Sequence, residues 1–239
     1  VAAYFASDVH LRLDCPDRGQ RFARWVDRIG ADDTLTIVGD LCDFWFAARQ
    51  SHKAFMDCEG LRAVAAYRAR GGALKMLVGN HDLWLGPLYE RHLGAEVVAE
   101  PHDVNVYGLK VRLAHGHALG ARPPWKLVLE SRAFLEAFRR LPDRPARVLG
   151  SVLGRTNERM RAANDRRHLA VFRAHARSLG PDFDVLALGH LHRAHDEPMA
   201  RPRLVVLGNW HERASYLKVD TQGAALIVEP RPVTVDSTP

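Results

Sequence analysis

Six short apolar runs recur along this 239-residue chain, and each one stops directly on side chains that can hold a metal. Val1 to Ala6 leads into Ser7-Asp8-Val9-His10, and Leu35 to Val38 into Gly39-Asp40-Leu41-Cys42-Asp43. Lys75 to Val78 is followed by Gly79-Asn80-His81-Asp82, and Val111 to Ala114 by His115-Gly116-His117. Val185 to Leu188 precedes Gly189-His190-Leu191-His192, and Leu204 to Leu207 precedes Gly208-Asn209-Trp210-His211. Such short runs, rich in Val, Ile and Leu and mostly stopped by Gly, read as buried strands rather than helices. Helical patterns over Arg21 to Ile29 and Ala54 to Arg70 lie between the first of them, which predicts β-α-β units in the N-terminal half. Ligands of such sheets bind in the crevice at the carboxyl ends of the strands, so the polar strand ends should converge on one place.

Taken singly, each piece has an ordinary explanation. A lone D-x-H is commonplace, Asp40 alone is a fair helix cap, Asn80 a turn residue and His115 a satisfied structural histidine. Their joint occurrence, in order and each at a strand end, points instead to a metal site. Carboxylate, imidazole and amide oxygen together suit Mn²⁺, Fe or Zn²⁺ better than a thiolate-loving metal.

The order D-x-H, G-D-x-x-D, G-N-H-D, H-G-H, G-H-x-H resembles that of the calcineurin-like metallophosphoesterases, from residue 8 to residue 192. The resemblance implies an α/β fold, a four-layer α/β/β/α sandwich, holding two divalent metal ions bridged by water, Mn²⁺ foremost. By position, Asp8, His10 and His192 would bind one ion, Asn80, His115 and His190 the other, and Asp40 would bridge them. Two such ions activate a water and clamp the phosphoryl oxygens of an in-line displacement. His81, beside a ligand, would protonate the leaving group or stabilise the charged transition state, which makes His81, Asp40 and Asn80 the expected catalytic residues. Asp43 and Asp82 either orient ligands or are plain loop carboxylates.

The substrate must be read elsewhere. Phe44 and Trp45 follow the second metal loop and on periodicity alone would be core. With the stretch Gly189 to His195 and the L-G-x-W-H ending, however, the G-D-L-x-x-x-W pattern is similar to the UDP-2,3-diacylglucosamine hydrolases of lipid A biosynthesis, over nearly the whole chain. That resemblance implies cleavage of UDP-2,3-diacylglucosamine by metal-bound hydroxide, giving UMP and 2,3-diacylglucosamine 1-phosphate. It offers Trp45, Arg159, Arg161, Asn164 and His195 as substrate contacts. Two positions depart from it, since members of that family carry arginine where this chain has His81 and aspartate where it has His117. A metallophosphodiesterase or phosphatase acting on another ester, such as a soluble nucleotide, therefore stays open.

Residues 121–180 interrupt the strand pattern with a helical segment of 14 Lys+Arg against 5 Asp+Glu. The chain's formal charge of +6 is thus carried by this one insertion within a single domain spanning 1–239. Lys126 to Leu141 reads as an amphipathic helix, Ala146 to Leu153 as a short apolar one and Asn157 to Leu179 as a longer Arg-rich one. The insertion is expected to form a lid, its basic groups facing phosphate or an anionic membrane surface and its apolar faces the acyl chains. The alternatives are helices that merely pack on the sheet, or a polyanion-binding protein with an incidental metal site. No run approaches the length of a membrane span and no secretory pattern opens the chain, so the expected location is the cytoplasm, peripheral to the inner membrane, with no nucleic acid as partner. Three cysteines (Cys15, Cys42, Cys58) without a C-x-x-C pair argue against a disulfide framework. Oligomeric state, and the order of the mostly polar tail after Glu229, are left open by the sequence.

Overall fold

All six apolar runs are strands in the computed structural model, which describes residues 1–43, 52–120, 124–129, 131–142, 144–145, 148, 161–198, 200–211 and 213–230. The first sheet sets β1 (Ala3–Ala6), β2 (Thr34–Val38), β3 (Ala73–Leu77) and β4 (Glu96–Val97) parallel to one another. An antiparallel hairpin, β10 (Ser215–Asp220) and β11 (Gly223–Val228), closes its other side, giving the order β11-β10-β1-β2-β3-β4. The second sheet holds β5 (His102–Val106), β6 (Leu109–Ala114), β7 (Val185–Leu188), β8 (His195–Glu197) and β9 (Arg203–Val206) in the order β5-β6-β7-β9-β8. Within it β6, β7 and β9 run parallel, as β1 to β4 do in the first, so each sheet gathers several carboxyl strand ends along one edge.

The period of two along each strand builds the layers. Ala3, Phe5, Leu77, Val111, Leu113, Val185, Ala187, Val205, Leu217 and Val219 meet between the sheets. Their neighbours Leu35, Ile37, Leu74 and Met76 face helices α1 (Pro16–Val26), α2 (His52–Asp57), α3 (Glu59–Ala69) and α4 (Gly86–Leu93), packing with Phe22, Trp25, Phe55, Val64 and Tyr89. On the far side Leu186, Leu188, Leu204 and Val206 pack with Phe172 and Ala176 of a long helix, Arg161–Leu179. Helix, sheet, sheet, helix is the α/β/β/α sandwich. Each fully buried leucine in it contributes roughly 2 kcal/mol of transfer free energy.

Three helical expectations change. Helix α1 starts at Pro16, ahead of its apolar pattern, because a proline's missing N–H is no loss in a first turn. The stretch from Ala54 to Arg70 is broken at Cys58, whose backbone is extended. The continuous helix expected over Lys126 to Leu141 is two, α5 (Pro124–Leu129) and α6 (Arg132–Arg139). Ser131 causes the break: its backbone is extended and its hydroxyl accepts the Phe134 N–H at 3.2 Å, an N-cap that starts a new helix. The long helix, hereafter α7, is described from Arg161 onward; the expected start at Asn157, nearly all of Ala146 to Leu153 and residues 231–239 lie outside the described residues. No helix among the described residues is long and apolar enough to cross a membrane.

Candidate metal centre

The loops that leave β1, β2, β3, β6 and β7 meet, and they turn sharply. Of the described non-glycine residues only five have φ in the left-handed region, and Asp8, His10, Asp40 and His190 are four of them, at 51–66°. Holding a non-glycine residue there costs roughly 1 kcal/mol each. Packing makes the strain persist: Asp40 Oδ1 fills the place where a side chain at residue 79 would begin, and Ser7 Oγ does the same at residue 189, so both positions accept only glycine.

Each carboxylate has one oxygen anchored and one turned inward. Asp8 Oδ2 accepts the His190 N–H at 2.8 Å and the Ser7 hydroxyl at 2.6 Å, whereas its buried Oδ1 accepts no hydrogen bond. That oxygen lies 3.5 Å from His192 Nε2 and 3.7 Å from His10 Nε2, and these two nitrogens are 3.2 Å apart. Asp40 Oδ1 accepts the His81 N–H at 2.8 Å, while Oδ2 stands 3.9 Å from His10 Nε2 and 3.3 Å from His115 Nε2. Asn80 Oδ1 is 3.2 Å from the same His115 nitrogen. His115 Nδ1 donates to the Val38 carbonyl at 3.0 Å, which orients the ring with Nε2 toward the interior.

These inward atoms are carboxylate and amide oxygens and imidazole nitrogens, a donor set that suits a divalent cation. Ligand atoms about 2.1 Å from one ion stand about 3 Å apart when adjacent and about 4 Å apart when opposite. The separations above fall in that range. One group, Asp8, His10, His192 and Asp40, meets a second, Asn80, His115 and Asp40, at the shared Asp40 Oδ2. His190 stands edge-on to His115, with ring centres 5.4 Å apart, and burial depresses its pKa well below the usual histidine value. Burial works to neutralise Asp8 and Asp40, yet the surrounding histidines hold both carboxyl groups below the ordinary carboxylate range. Burial likewise opposes a charge on His115, but Asp40 and then Asp8 lift it to about 10. The same negative field favours a divalent ion.

Around this centre Asp82 takes four donors: the N–H groups of Asp40 (3.2 Å), Leu41 (2.8 Å) and Gly79 (2.7 Å), and the Tyr89 hydroxyl (2.8 Å). It therefore ties the β2 and β3 loops together. Asp43 Oδ1 lies 2.8 Å from His81 Nδ1, with Arg12 Nη1 3.5 Å from its other oxygen. Glu100 accepts the His115 N–H at 2.6 Å and lies 3.6 Å from His117 Nδ1.

The structure thus brings Asp8, His10, Asp40, Asn80, His81, His115, His190 and His192 together. Of the expected substrate contacts, His195 lies at the start of edge strand β8 and bonds Glu197 at 2.8 Å, a carboxylate that Arg173 of α7 also holds. Trp45 and Arg159 lie outside the described residues, as do the side chains of Arg161 and Asn164. One residue was missed. His211 offers a ring nitrogen within 4.8 Å of ligand atoms of His10 and His192. The signal was in the sequence, since His211 follows the sixth apolar run as the others follow theirs.

The calcineurin-like phosphoesterase family matches this chain over residues 3–194. UDP-2,3-diacylglucosamine hydrolase of Hahella chejuensis is 24% identical, across 93% of this chain and 95% of that protein. The proteins of the same description from Aeromonas salmonicida and Neisseria meningitidis serogroup B are 28% and 26% identical, covering 91% and 94% of this chain and 89% and 97% of their own lengths. Among solved structures, an archaeal phosphodiesterase overlays with a TM-score of 0.48 at 14% identity, over 96% of this chain and 100% of that one.

Proposed function

The chain belongs to the calcineurin-like phosphoesterase family, and from that footing we propose that it is a dinuclear-metal pyrophosphatase that hydrolyses UDP-2,3-diacylglucosamine to UMP and 2,3-diacylglucosamine 1-phosphate. The observation that carries the hydrolytic reading is the position of Asp40 Oδ2, between His10 on one side and His115 on the other. The substrate is supported by relatives of that description that match more than nine-tenths of the chain.

In this reading Asp8, His10, His192 and Asp40 hold one divalent ion, and Asp40, Asn80, His115 and His190 hold the second, Mn²⁺ being the expected metal with Fe or Zn²⁺ as alternatives. Such a pair, when bound, supplies an activated water and charge for the phosphoryl oxygens. Asn80 contributes a neutral oxygen, so the site keeps more of its cations' charge for the substrate. His81, with Nδ1 engaged by Asp43, turns its Nε2 proton toward the departing phosphate oxygen. The basic segment 121–180 serves as the lid, with the exposed Leu127 and Val128 of α5 giving an apolar face to acyl chains or to the anionic cytoplasmic face of the inner membrane, where the protein binds peripherally.

A second reading, a phosphodiesterase acting on a soluble ester, is favoured by His81 in place of the resembled family's arginine. Turnover with Mn²⁺ separates the two. Cleavage of the acylated UDP-sugar supports the first; cleavage of bis(p-nitrophenyl) phosphate with the lipid substrate untouched supports the second.

A further inference from the structure

The loop after β9 is tied down from several sides. Arg21 Nη1 donates to the carbonyls of Trp210 (3.0 Å) and His211 (3.2 Å), the His211 N–H is accepted by Asn209 Oδ1 at 3.2 Å, and the Trp210 N–H reaches the carbonyl of Asp8 at 3.3 Å. Arg18, one helical turn before Arg21 on α1, donates through Nη1 to the His10 carbonyl at 2.6 Å and through Nη2 to Nδ1 of His211 at 2.9 Å. The His211 ring stacks on His192, with centres 5.8 Å apart and planes 21° apart, and lies 5.6 Å from the His10 ring. Both the backbone and the ring of His211 are therefore fixed against the two histidines at one end of the centre.

A histidine so placed is either a further metal ligand or a hydrogen-bond donor, and Arg18 decides between them. A guanidinium carries donors only, so Nδ1 of His211 accepts, and the neutral ring then bears its proton on Nε2. A protonated ring nitrogen has no lone pair for a cation. We infer that His211 lies outside the coordination set and donates its Nε2–H to a phosphoryl oxygen of substrate bound at the His10 and His192 end. Arg18 is the positioning residue that fixes the tautomer. A neutral donor suits this place, because it binds an anionic oxygen without repelling a cation beside it. The assignment rests on the hydrolytic reading above, and loss of one such donor to a developing oxyanion costs about 100-fold in kcat.

The test uses the Zn²⁺-loaded protein, ring ¹⁵N–¹H correlation spectra at neutral pH, metal analysis, and turnover of bis(p-nitrophenyl) phosphate. The His211 signal, identified by its loss in His211→Ala, should show protonated Nε2 and bare Nδ1, should lose that preference in Arg18→Met, and should move on adding inorganic phosphate. His211→Ala should keep the wild-type metal content yet lose about 100-fold in kcat, and His211→Gln, whose amide N–H replaces the donor, should recover part of it. An Nδ1–H tautomer, a metal ion lost from His211→Ala, or unchanged kcat in that variant when fully loaded would overturn the assignment. A wild type that cleaves no ester but shows the tautomer and the phosphate response would overturn the hydrolytic reading while supporting His211 as an anion donor.

Discussion

The Nε2 atoms of His10 and His192, 182 residues apart in sequence, face each other across 3.2 Å beside an Asp8 oxygen that accepts no hydrogen bond. Packing has turned two ring nitrogens and a carboxylate oxygen toward one space, so an ion that binds there should appear as stability. Saturating Mn²⁺ or Zn²⁺ at about 100 times the dissociation constant adds about 2.7 kcal/mol, and chelation should reverse it. The expected result is a Tm several degrees higher with metal, a shift that Asp40→Ala removes along with hydrolysis. A melting curve indifferent to divalent ions would contradict the dinuclear reading.

Gly189 gives a sharper probe of the same geometry. A methyl group there would overlap Ser7 Oγ and stand 2.9 Å from Asp8 Oδ2 and from His115 Nδ1, three atoms that set the inward groups of both halves. Gly189→Ala should therefore cost roughly 1–3 kcal/mol as an overpacked core does, and lose metal affinity out of proportion to stability. Isothermal titration with Zn²⁺ alongside thermal denaturation measures both. Equal metal affinity in the folded variant would show that the loop adapts.

Much of this was legible beforehand for a physical reason. Strands buried on both faces, such as Val185 to Leu188, must be continuous apolar runs, and a run that stops on Gly and His announces a functional strand end. Edge strands were not visible: His195–Glu197 is three polar residues whose strand character comes only from pairing with β9. Ser131 hid in a helical pattern, because periodicity records which face is apolar and says little about where the backbone breaks. Nor does sequence show side-chain partnerships between distant elements. Arg18 and His211 are 193 residues apart, and nothing local to either marks the contact.

Asp82 illustrates a residue whose type was noticed and whose role only the fold defines. Its two oxygens satisfy three backbone N–H groups and the Tyr89 hydroxyl, all buried. Asp82→Ala leaves four donors without acceptors and should cost roughly 3 kcal/mol, a fall in Tm of about 10 °C for a chain of this size. Tyr89→Phe removes one of the four bonds and should cost about 1 kcal/mol. Urea denaturation of the metal-free proteins checks the pair. Equal losses in the two variants would mean that the backbone donors find other partners.

His81 sets the pH dependence. Burial alone would strip its proton, but the charge of Asp40 and then the hydrogen bond to Asp43 outweigh it and lift its pKa to about 9. A group that must donate a proton works below its pKa, and bound cations offset the charge of Asp40, so kcat of the metal-loaded protein should fall as pH rises through a value below the about 9 of the metal-free one. Asp43→Asn keeps the fold of the loop but removes one of the two carboxylates that lift His81, which should move that alkaline limb to lower pH. His81→Gln should abolish the limb and lower kcat by about 100-fold. Steady-state kcat against pH with bis(p-nitrophenyl) phosphate, for the wild type and both variants, measures these shifts. A limb that stays in place in Asp43→Asn would assign it to a group other than His81, and with it the proton that the leaving oxygen receives.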